Sequence, residues 1–375
     1  MATLPGQNGS KITMRNESLK TIPALRSIIF GMFFIVLTAS CTQQPPSPTS
    51  TPTITTQPTI ETQVDPTQTA TKRPTPTPTL PPIGNPGNPI TIGFILTPEQ
   101  TTAIEAAEDI TFLITEKTGF SVEFLIYPDF QSLSSGVMDS DVDLFWLKPL
   151  EYLYLNEKGA AQVVIMTNHL GVYAYGVQFM ANSLRGFTSY FDPESAQSLG
   201  DPITALQQFS GTRPCFISPD SVPGCLVPSG YLANASTPTL DPIFTYSYTA
   251  MIRALYIEGI CDLGVSYALI GDPRNASDII QNLPDAQEQV IVIWQSEGVI
   301  PNINLSTSPS LPLNIRYQLQ EAFLDLPQMP EGLMLVSTAL GYDVEALKTV
   351  EDGFYDPLRS ALNPLNLDLQ AITQP

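Results

Sequence analysis

The sequence predicts an α/β fold, and two features of the chain after residue 89 support this prediction. Short apolar runs alternate with amphipathic stretches, which is typical of strands followed by helices in βα units. The 286 residues from Ile90 to Pro375 are enough for one large or two linked α/β lobes with their own cores. We find no internal sequence repeat.

The first predicted strand covers residues 90–96, and a helix should follow it directly. Thr97 is a favourable N-cap, Pro98 suits the first helical position, and a glutamine lies three residues after the cap. Apolar residues then recur at spacings of three and four as far as Ile114. Gly119 should end this helix.

The later elements are predicted by the same criteria. Asp129 should cap a short helix after the second strand. Further strands are predicted at residues 122–127, 142–147, 162–166, 173–181, 214–218, 261–265 and 290–294. Further helices are predicted at residues 202–209, 247–258 and 312–324.

Composition excludes several classes of function. The chain has 16 Lys and Arg against 36 Asp and Glu, so its net charge is -20 and it lacks the basic surface of a nucleic-acid binder. One histidine and four cysteines argue against a Cys/His zinc site and against a Ser-His-Asp triad. Neither a Gly-rich phosphate loop nor a G-x-S-x-G motif is present. We therefore predict no metal, no cofactor and no enzymatic activity.

The N-terminus has the features of an export signal. Four basic residues precede an apolar run at residues 28–37, which is too short to span a membrane. Residues 37–41, Leu-Thr-Ala-Ser-Cys, resemble the lipobox of bacterial lipoproteins, in which Cys41 would be acylated; the alternative is ordinary signal-peptidase cleavage near Ala39. We predict a signal peptide at residues 1–41 and an extracytoplasmic protein, lipid-anchored to the cell membrane through Cys41.

A Thr/Pro-rich segment follows at residues 42–89. It contains 13 prolines and 14 threonines and almost no large apolar side chains. Such a segment cannot bury enough surface to offset its ordering entropy, and its prolines keep it extended. We predict a disordered stalk that holds the folded part of the chain near the membrane.

Four segments resemble a known family in the order that the family has them. Residues 143–152, Asp-Leu-Phe-Trp-Leu-Lys-Pro-Leu-Glu-Tyr, are similar to its D-x-x-W-L-G-P-x-x-Y motif. Residues 211–226, 250–264 and 294–301 resemble its serine-rich stretch, its G-x-x-D-x-G segment and its S-x-x-I-P segment. The family is that of the phosphate/phosphite/phosphonate-type periplasmic substrate-binding proteins of ABC transporters.

This resemblance implies a two-lobed type II periplasmic-binding fold, in which two hinge strands join α/β lobes around a ligand cleft. Lobe one would comprise residues 90–175 and 302–375, and lobe two residues 176–301. A cleft agrees with the general rule that α/β sheets bind ligands beyond the carboxyl ends of their strands. Closure of the lobes over a ligand is the expected motion.

The resemblance also implies ligand-binding residues. Ser221 lies in the loop that would contact an oxyanion, although Val222 and Pro223 replace small hydroxylated residues there; the alternative is that Ser221 only caps the following helix. Lys148 replaces a glycine of the motif, so its ammonium would either face the cleft or lie in solvent. Asp262 would either bind a ligand amine or cap a turn. Four aromatic residues would line the cleft or be ordinary half-buried aromatics: Phe130, Tyr173, Tyr175 and Tyr248.

Three cysteines remain after Cys41. Cys215 and Cys261 lie at corresponding ends of two strands that the implied fold places side by side, so a disulfide between them is plausible. Cys225 would then be unpaired. The sequence alone leaves all three pairings open.

The function implied by the resemblance is that of an extracytoplasmic solute-binding lipoprotein. It would capture a small polar, anionic, phosphonate- or phosphate-like solute and deliver it to an ABC permease in the membrane. We expect it to act as a monomer without nucleic acid. The alternative is a ligand-sensing domain that partners with a membrane signalling protein.

Overall fold

The computed structural model describes residues 80–374. The predicted signal peptide, Cys41 and most of the predicted stalk lie outside these residues. The described strands are β1 (Ile90–Ile95), β2 (Val122–Tyr127), β3 (Leu144–Leu147), β4 (Gln162–Asn168), β5 (Ala174–Asn182), β6 (Phe191–Asp192), β7 (Gln197–Ser198), β8 (Pro214–Phe216), β9 (Ile243–Phe244), β10 (Leu263–Ala268), β11 (Val290–Gln295), β12 (Ile300–Pro301), β13 (Asn304–Thr307) and β14 (Ala346–Thr349).

The described helices lie between these strands and after the last of them. They are α1 (Thr101–Thr118), α2 (Phe130–Met138), α3 (Pro149–Glu157), α4 (Pro202–Gln207), α5 (Val227–Asn234), α6 (Tyr248–Tyr256), α7 (Ser277–Asn282), α8 (Ala286–Gln289), α9 (Leu313–Leu324), α10 (Gly332–Leu340), α11 (Asp356–Leu362) and α12 (Leu369–Thr373). No helix within residues 80–374 is long and apolar enough to cross a membrane.

Two main sheets form two lobes, as in the predicted type II fold. The lobe-one sheet has the strand order β14-β4-β13-β3-β1-β2, with β1 parallel to both β2 and β3 and with β13 antiparallel to β3 and β4. The lobe-two sheet has the order β11-β5-β10-β8-β9, in which β8, β9 and β10 are parallel and β5 is antiparallel to its neighbours.

The chain passes between the lobes twice, after β4 and before β13. Asn302 joins the two passages, because its Nδ2 donates to the carbonyl oxygens of Thr167 at 3.2 Å and Val172 at 2.7 Å. Its backbone N–H also donates to the carbonyl of Tyr173. The two passages therefore lie side by side, which is the arrangement of a two-strand hinge.

Each lobe has a core of its own, and a third apolar cluster extends from one lobe to the other. Helices α1, α9 and α10 cover one face of the lobe-one sheet, and α6 covers one face of the lobe-two sheet. The shared cluster includes Tyr152 and Tyr355 of lobe one together with Phe179 and Val227 of lobe two. Helix α11 thus packs against α5 of the other lobe.

Two local details differ from the sequence-based expectation. Helix α1 begins at Thr101, one turn later than predicted, because residues 97–100 form a turn in which Gln100 Oε1 accepts from the Thr97 N–H at 2.8 Å. Residues 80–89, which we predicted to be the end of the stalk, pack on lobe one. Gly84 accepts a hydrogen bond from the N–H of Ser121, and Ile83 contacts the lobe-one core.

Candidate functional site

Two serines lie at the carboxyl edge of the lobe-two sheet. Ser221 follows β8, and its Oγ accepts a hydrogen bond from the N–H of Gly224 at 3.1 Å in the helical turn before α5. Ser247 follows β9, the neighbouring strand, and caps α6 by accepting from the N–H of Ala250 at 3.3 Å. Both serines therefore lie at the positive ends of helical segments, where an oxyanion is favoured.

The loop before Ser221 brings a negative charge to this edge. Asp220 is exposed, and its Oδ1 accepts a hydrogen bond from Ser218 Oγ at 2.6 Å. Val222 and Pro223 follow Ser221 and offer no hydroxyl, and Pro223 also lacks an N–H. This edge therefore suits a solute of low net charge better than a multiply charged anion.

Three tyrosines from the two lobes come together where the lobes meet. Tyr175 is the second residue of the long strand β5, Tyr248 begins α6, and Tyr342 follows α10 of lobe one. Burial raises the pKa of the Tyr175 phenol well above its usual value, and the neighbouring phenols of Tyr248 and Tyr342 raise it further. All three groups are therefore neutral O–H donors near pH 7.

Burial has the same effect on the other two phenols. It raises the pKa of Tyr248, and the nearby Ser221 hydroxyl partly opposes the shift. Burial also raises the pKa of Tyr342, against a smaller effect of Thr167. The proximity of Ser221 to Tyr248 joins the serine edge and the tyrosines into one polar site.

Tyr173 lies beside this group and holds a cation. The Lys348 Nζ lies 4.1 Å from the centroid of the Tyr173 ring and 4.5 Å from that of Phe354. Burial lowers the pKa of Lys348, although its side chain is only partly buried. The ammonium is thus held between two rings at the end of lobe one next to the hinge.

Lys148 lies at the rim of lobe one rather than inside the site. Its side chain is 71% exposed, and its Nζ lies 3.9 Å from a carboxylate oxygen of Glu151. Together with Trp146 and Ile303 it lines a pocket of ≈ 150 Å³ at the carboxyl ends of β1 and β3. The indole Nε1 of Trp146 is buried and has no hydrogen-bond partner within the described residues.

The structure places two predicted ligand residues elsewhere. Phe130 is buried in the core with its ring edge-on to Tyr154, at a centroid distance of 6.0 Å. Asp262 precedes β10 and therefore lies at the opposite end of the lobe-two sheet from Ser221. Its carboxylate forms an ion pair with Arg185 at 2.5 Å and accepts from the N–H of Arg213 at 2.7 Å, which is a structural role.

A disulfide joins Cys215 and Cys261, with their Cα atoms 5.7 Å apart. This is the pair named in the sequence analysis. Cys225 is free and buried, and burial raises the pKa of its thiol. The disulfide ties β8 to the segment before β10, so it fixes the strand that leads into Ser221.

Sequence reasoning missed three residues of this site. Ser247 had a signal, because it is a good N-cap residue immediately before a predicted amphipathic helix. No sequence signal indicated Tyr342 and Lys348, because we predicted no helix or strand after residue 324. Their positions follow from the return of the chain to lobe one through β13 and β14.

Three comparisons relate this arrangement to known proteins. Residues 92–348 match a family model described as the phosphonate periplasmic substrate-binding protein of ABC transporters. The phosphate-import protein PhnD of Mycolicibacterium smegmatis is 26% identical over 230 residues, which cover 58% of this chain and 66% of that protein, just under two thirds of its length.

Of two solved structures compared with this chain, the one that aligns with a TM-score above 0.5 shows that the fold is shared. XAC2383 from Xanthomonas citri, bound to chloride ion, aligns with a TM-score of 0.51 and 15% identity over 76% of this chain and 98% of that chain. PhnD1 from Prochlorococcus marinus, in complex with methylphosphonate, aligns with a TM-score of 0.45 and 15% identity over 74% of this chain and 98% of that chain.

Proposed function

Because this chain belongs to the family of phosphonate periplasmic substrate-binding proteins of ABC transporters, we propose that it captures a small polar oxyanion in a cleft between its two lobes. The solute would be phosphonate- or phosphate-like. Like the other members of a substrate-binding family, the chain binds its solute and does not transform it.

The tyrosine cluster is the observation that carries this proposal. Tyr175 lies at the hinge, Tyr248 in lobe two and Tyr342 in lobe one, so a solute among their phenols would contact both lobes. Contact with both lobes is what couples binding to closure, because a ligand stabilises only the state in which it makes more contacts.

Neutral donors suit the charge of this site. An oxyanion can be held by phenol O–H groups, by hydroxyls and by the N–H groups that follow Ser221 and Ser247, without a lysine or arginine in direct contact. A hydrogen bond to a charged group contributes about 1.5–3 kcal/mol. The exposed carboxylate of Asp220 favours monoanions over dianions at the same place.

The partners and location of the protein follow from the same family. A periplasmic substrate-binding protein acts outside the cytoplasm, and we infer that this one delivers its solute to a membrane permease. The proposed lipid at Cys41 and the proline-rich stalk would keep it close to that permease. Release of the lipid by acid or base, followed by mass spectrometry of the N-terminal peptide, tests the anchor separately.

Isothermal titration calorimetry with phosphate, phosphite, methylphosphonate and sulfate tests the proposal on the purified chain. We expect at least one of these oxyanions to bind in a one-to-one ratio. Tyr175→Phe should weaken that binding by about tenfold or more, because it removes one charge-assisted hydrogen bond and changes little else.

Asp262→Asn is the matched control, because it alters a carboxylate of the same lobe at the far end of the sheet. It should lower stability by loss of the Arg185 pair and leave oxyanion affinity unchanged. Equal affinity in wild type and Tyr175→Phe, or loss of affinity in Asp262→Asn, would contradict the proposed location of the site.

A further inference from the structure

The pocket of ≈ 150 Å³ in lobe one, which we call the lobe-one pocket, has mainly apolar walls. Within the described part of the chain, seven of its nine lining residues are apolar. Three of them, Ile95, Ile303 and Leu340, come from the end of β1, the passage before β13 and the end of α10, and all three are half-buried. The pocket therefore retains accessible aliphatic surface that an apolar group could cover.

The lobe-one pocket lies at the hinge end of its sheet. Leu147 lines the pocket and is paired in register with Asn304, the first residue of β13. Ile303 lines it too, and it directly follows Asn302, whose side chain binds both passages between the lobes. The pocket therefore adjoins the proposed cleft.

Tyr342 connects this pocket with the tyrosines of the oxyanion site. Leu340 is the last residue of α10, and only Gly341, in the left-handed conformation with a φ of 58°, separates it from Tyr342. The Thr167 hydroxyl donates to the carbonyl of Ile303 at 2.7 Å, and the Tyr342 phenol lies next to the same hydroxyl. An oxyanion bound at the Tyr342 phenol would thus have the lobe-one pocket as its neighbour.

The polar groups around the pocket do not suit a polar ligand group. Glu151 is engaged, because it accepts from the Lys148 N–H at 2.8 Å and its other carboxylate oxygen lies 3.9 Å from the Lys148 Nζ. The carbonyl of Ile303 already accepts from Thr167. The indole Nε1 of Trp146 is buried and can only donate. An ammonium that entered the pocket would therefore lose water without gaining an acceptor among these groups, which is unfavourable.

On the basis of the proposed oxyanion function, we infer that the solute carries an apolar substituent and that the lobe-one pocket binds this substituent. The oxyanion would lie among the tyrosines, and the substituent would extend into lobe one. An apolar cavity of about 150 Å³ can hold a benzene ring, so a butyl or phenyl group fits the pocket. The solute class is then an alkyl- or arylphosphonate with about four to six carbons. Inorganic phosphate and methylphosphonate would leave the apolar walls uncovered.

Isothermal titration calorimetry of the purified full chain with methylphosphonate, butylphosphonate and 3-aminopropylphosphonate tests this inference. Each methylene group taken out of water contributes about fourfold in affinity. Butylphosphonate has three methylene groups more than methylphosphonate, and it should bind at least tenfold more tightly. The aminopropyl chain has the same length as butyl but ends in an ammonium, so it should lose most of this gain.

Variants of the pocket locate the substituent. Leu340→Asn and Ile303→Thr make its walls polar with little change in side-chain size, and each should lower the butyl-to-methyl affinity ratio several-fold. Met334→Gln is the control, because Met334 belongs to the same helix as Leu340 but is 53% exposed and does not line the pocket; it should leave the ratio unchanged. Tyr175→Phe should weaken both ligands and leave their ratio unchanged.

Two results would overturn the inference and leave the oxyanion site intact. One is butylphosphonate binding no more tightly than methylphosphonate. The other is a butyl-to-methyl ratio that is undiminished in both Leu340→Asn and Ile303→Thr, since the substituent would then lie elsewhere. Absence of binding by all three phosphonates would instead refute the proposed function on which the inference rests, so the two failures are distinguishable.

Discussion

Replacing Cys215 and Cys261 together by alanine should destabilise the protein by about 4 kcal/mol. The disulfide closes a loop with a sequence separation of 46 residues. In the chain-entropy treatment a loop of this size lowers the entropy of the unfolded chain by about 13 cal/mol/K, which corresponds to about 4 kcal/mol at 25 °C. The unfolding entropy of about 0.6 kcal/mol/K expected for a folded region of this size converts this loss of stability into a melting temperature roughly 7 °C lower.

Differential scanning calorimetry of the oxidised wild type, the reduced wild type and the double variant measures the effect. The reduced wild type and the double variant should melt close together and clearly below the oxidised protein. Cys225→Ala is the control, since Cys225 is free. The melting temperature of this variant should still fall when the disulfide is reduced. A double variant that melts with the oxidised wild type would refute the loop-entropy reasoning.

Three further predictions concern the lobe contact, the phenols and the rim lysine. Gly230→Ala would place a Cβ 1.8 Å from the Ala361 carbonyl oxygen, so it should cost about 2 kcal/mol or more in urea unfolding; a neutral effect would show that α5 and α11 do not pack this closely. Burial raises the folded-state pKa of Tyr175 and Tyr342 above the unfolded-state value. The contribution of these two phenols to the free energy of unfolding is therefore fully present below about pH 10 and is lost as the pH rises above it. Unfolding free energies measured up to about pH 11 should fall less in Tyr342→Phe than in wild type, and parallel curves would exclude this cause. Lys148→Ala should change oxyanion affinity by no more than about threefold, because the side chain is 71% exposed; calorimetry showing a tenfold loss would place its ammonium in the site.

The strands of the two sheets were predictable where their side chains are apolar. The predicted strands at residues 90–96, 122–127 and 290–294 agree with the structure to within a residue because they are rich in Val, Ile, Leu or aromatic residues. Strand β13 was missed because its sequence is Asn-Leu-Ser-Thr. Its side chains are buried, and Asn304 is held by a tertiary contact, the bond from its Nδ2 to the Tyr355 hydroxyl at 2.7 Å.

The site was predictable only in part, and the direction of one strand explains one error. Asp262 comes just before β10, which begins at Leu263, so it lies at the amino end of this strand. A carboxylate at the amino end faces away from the edge where Ser221 lies. The place of Tyr342 depends on the final return of the chain to lobe one, which no local pattern in the sequence indicates.

A crystal structure of the chain with the oxyanion that binds most tightly tests the central claim most directly. We expect the oxyanion to lie between the lobes, within hydrogen-bonding distance of the Tyr175 phenol and of the N–H groups that follow Ser221. An oxyanion bound to one lobe alone, away from the three tyrosines, would contradict the account.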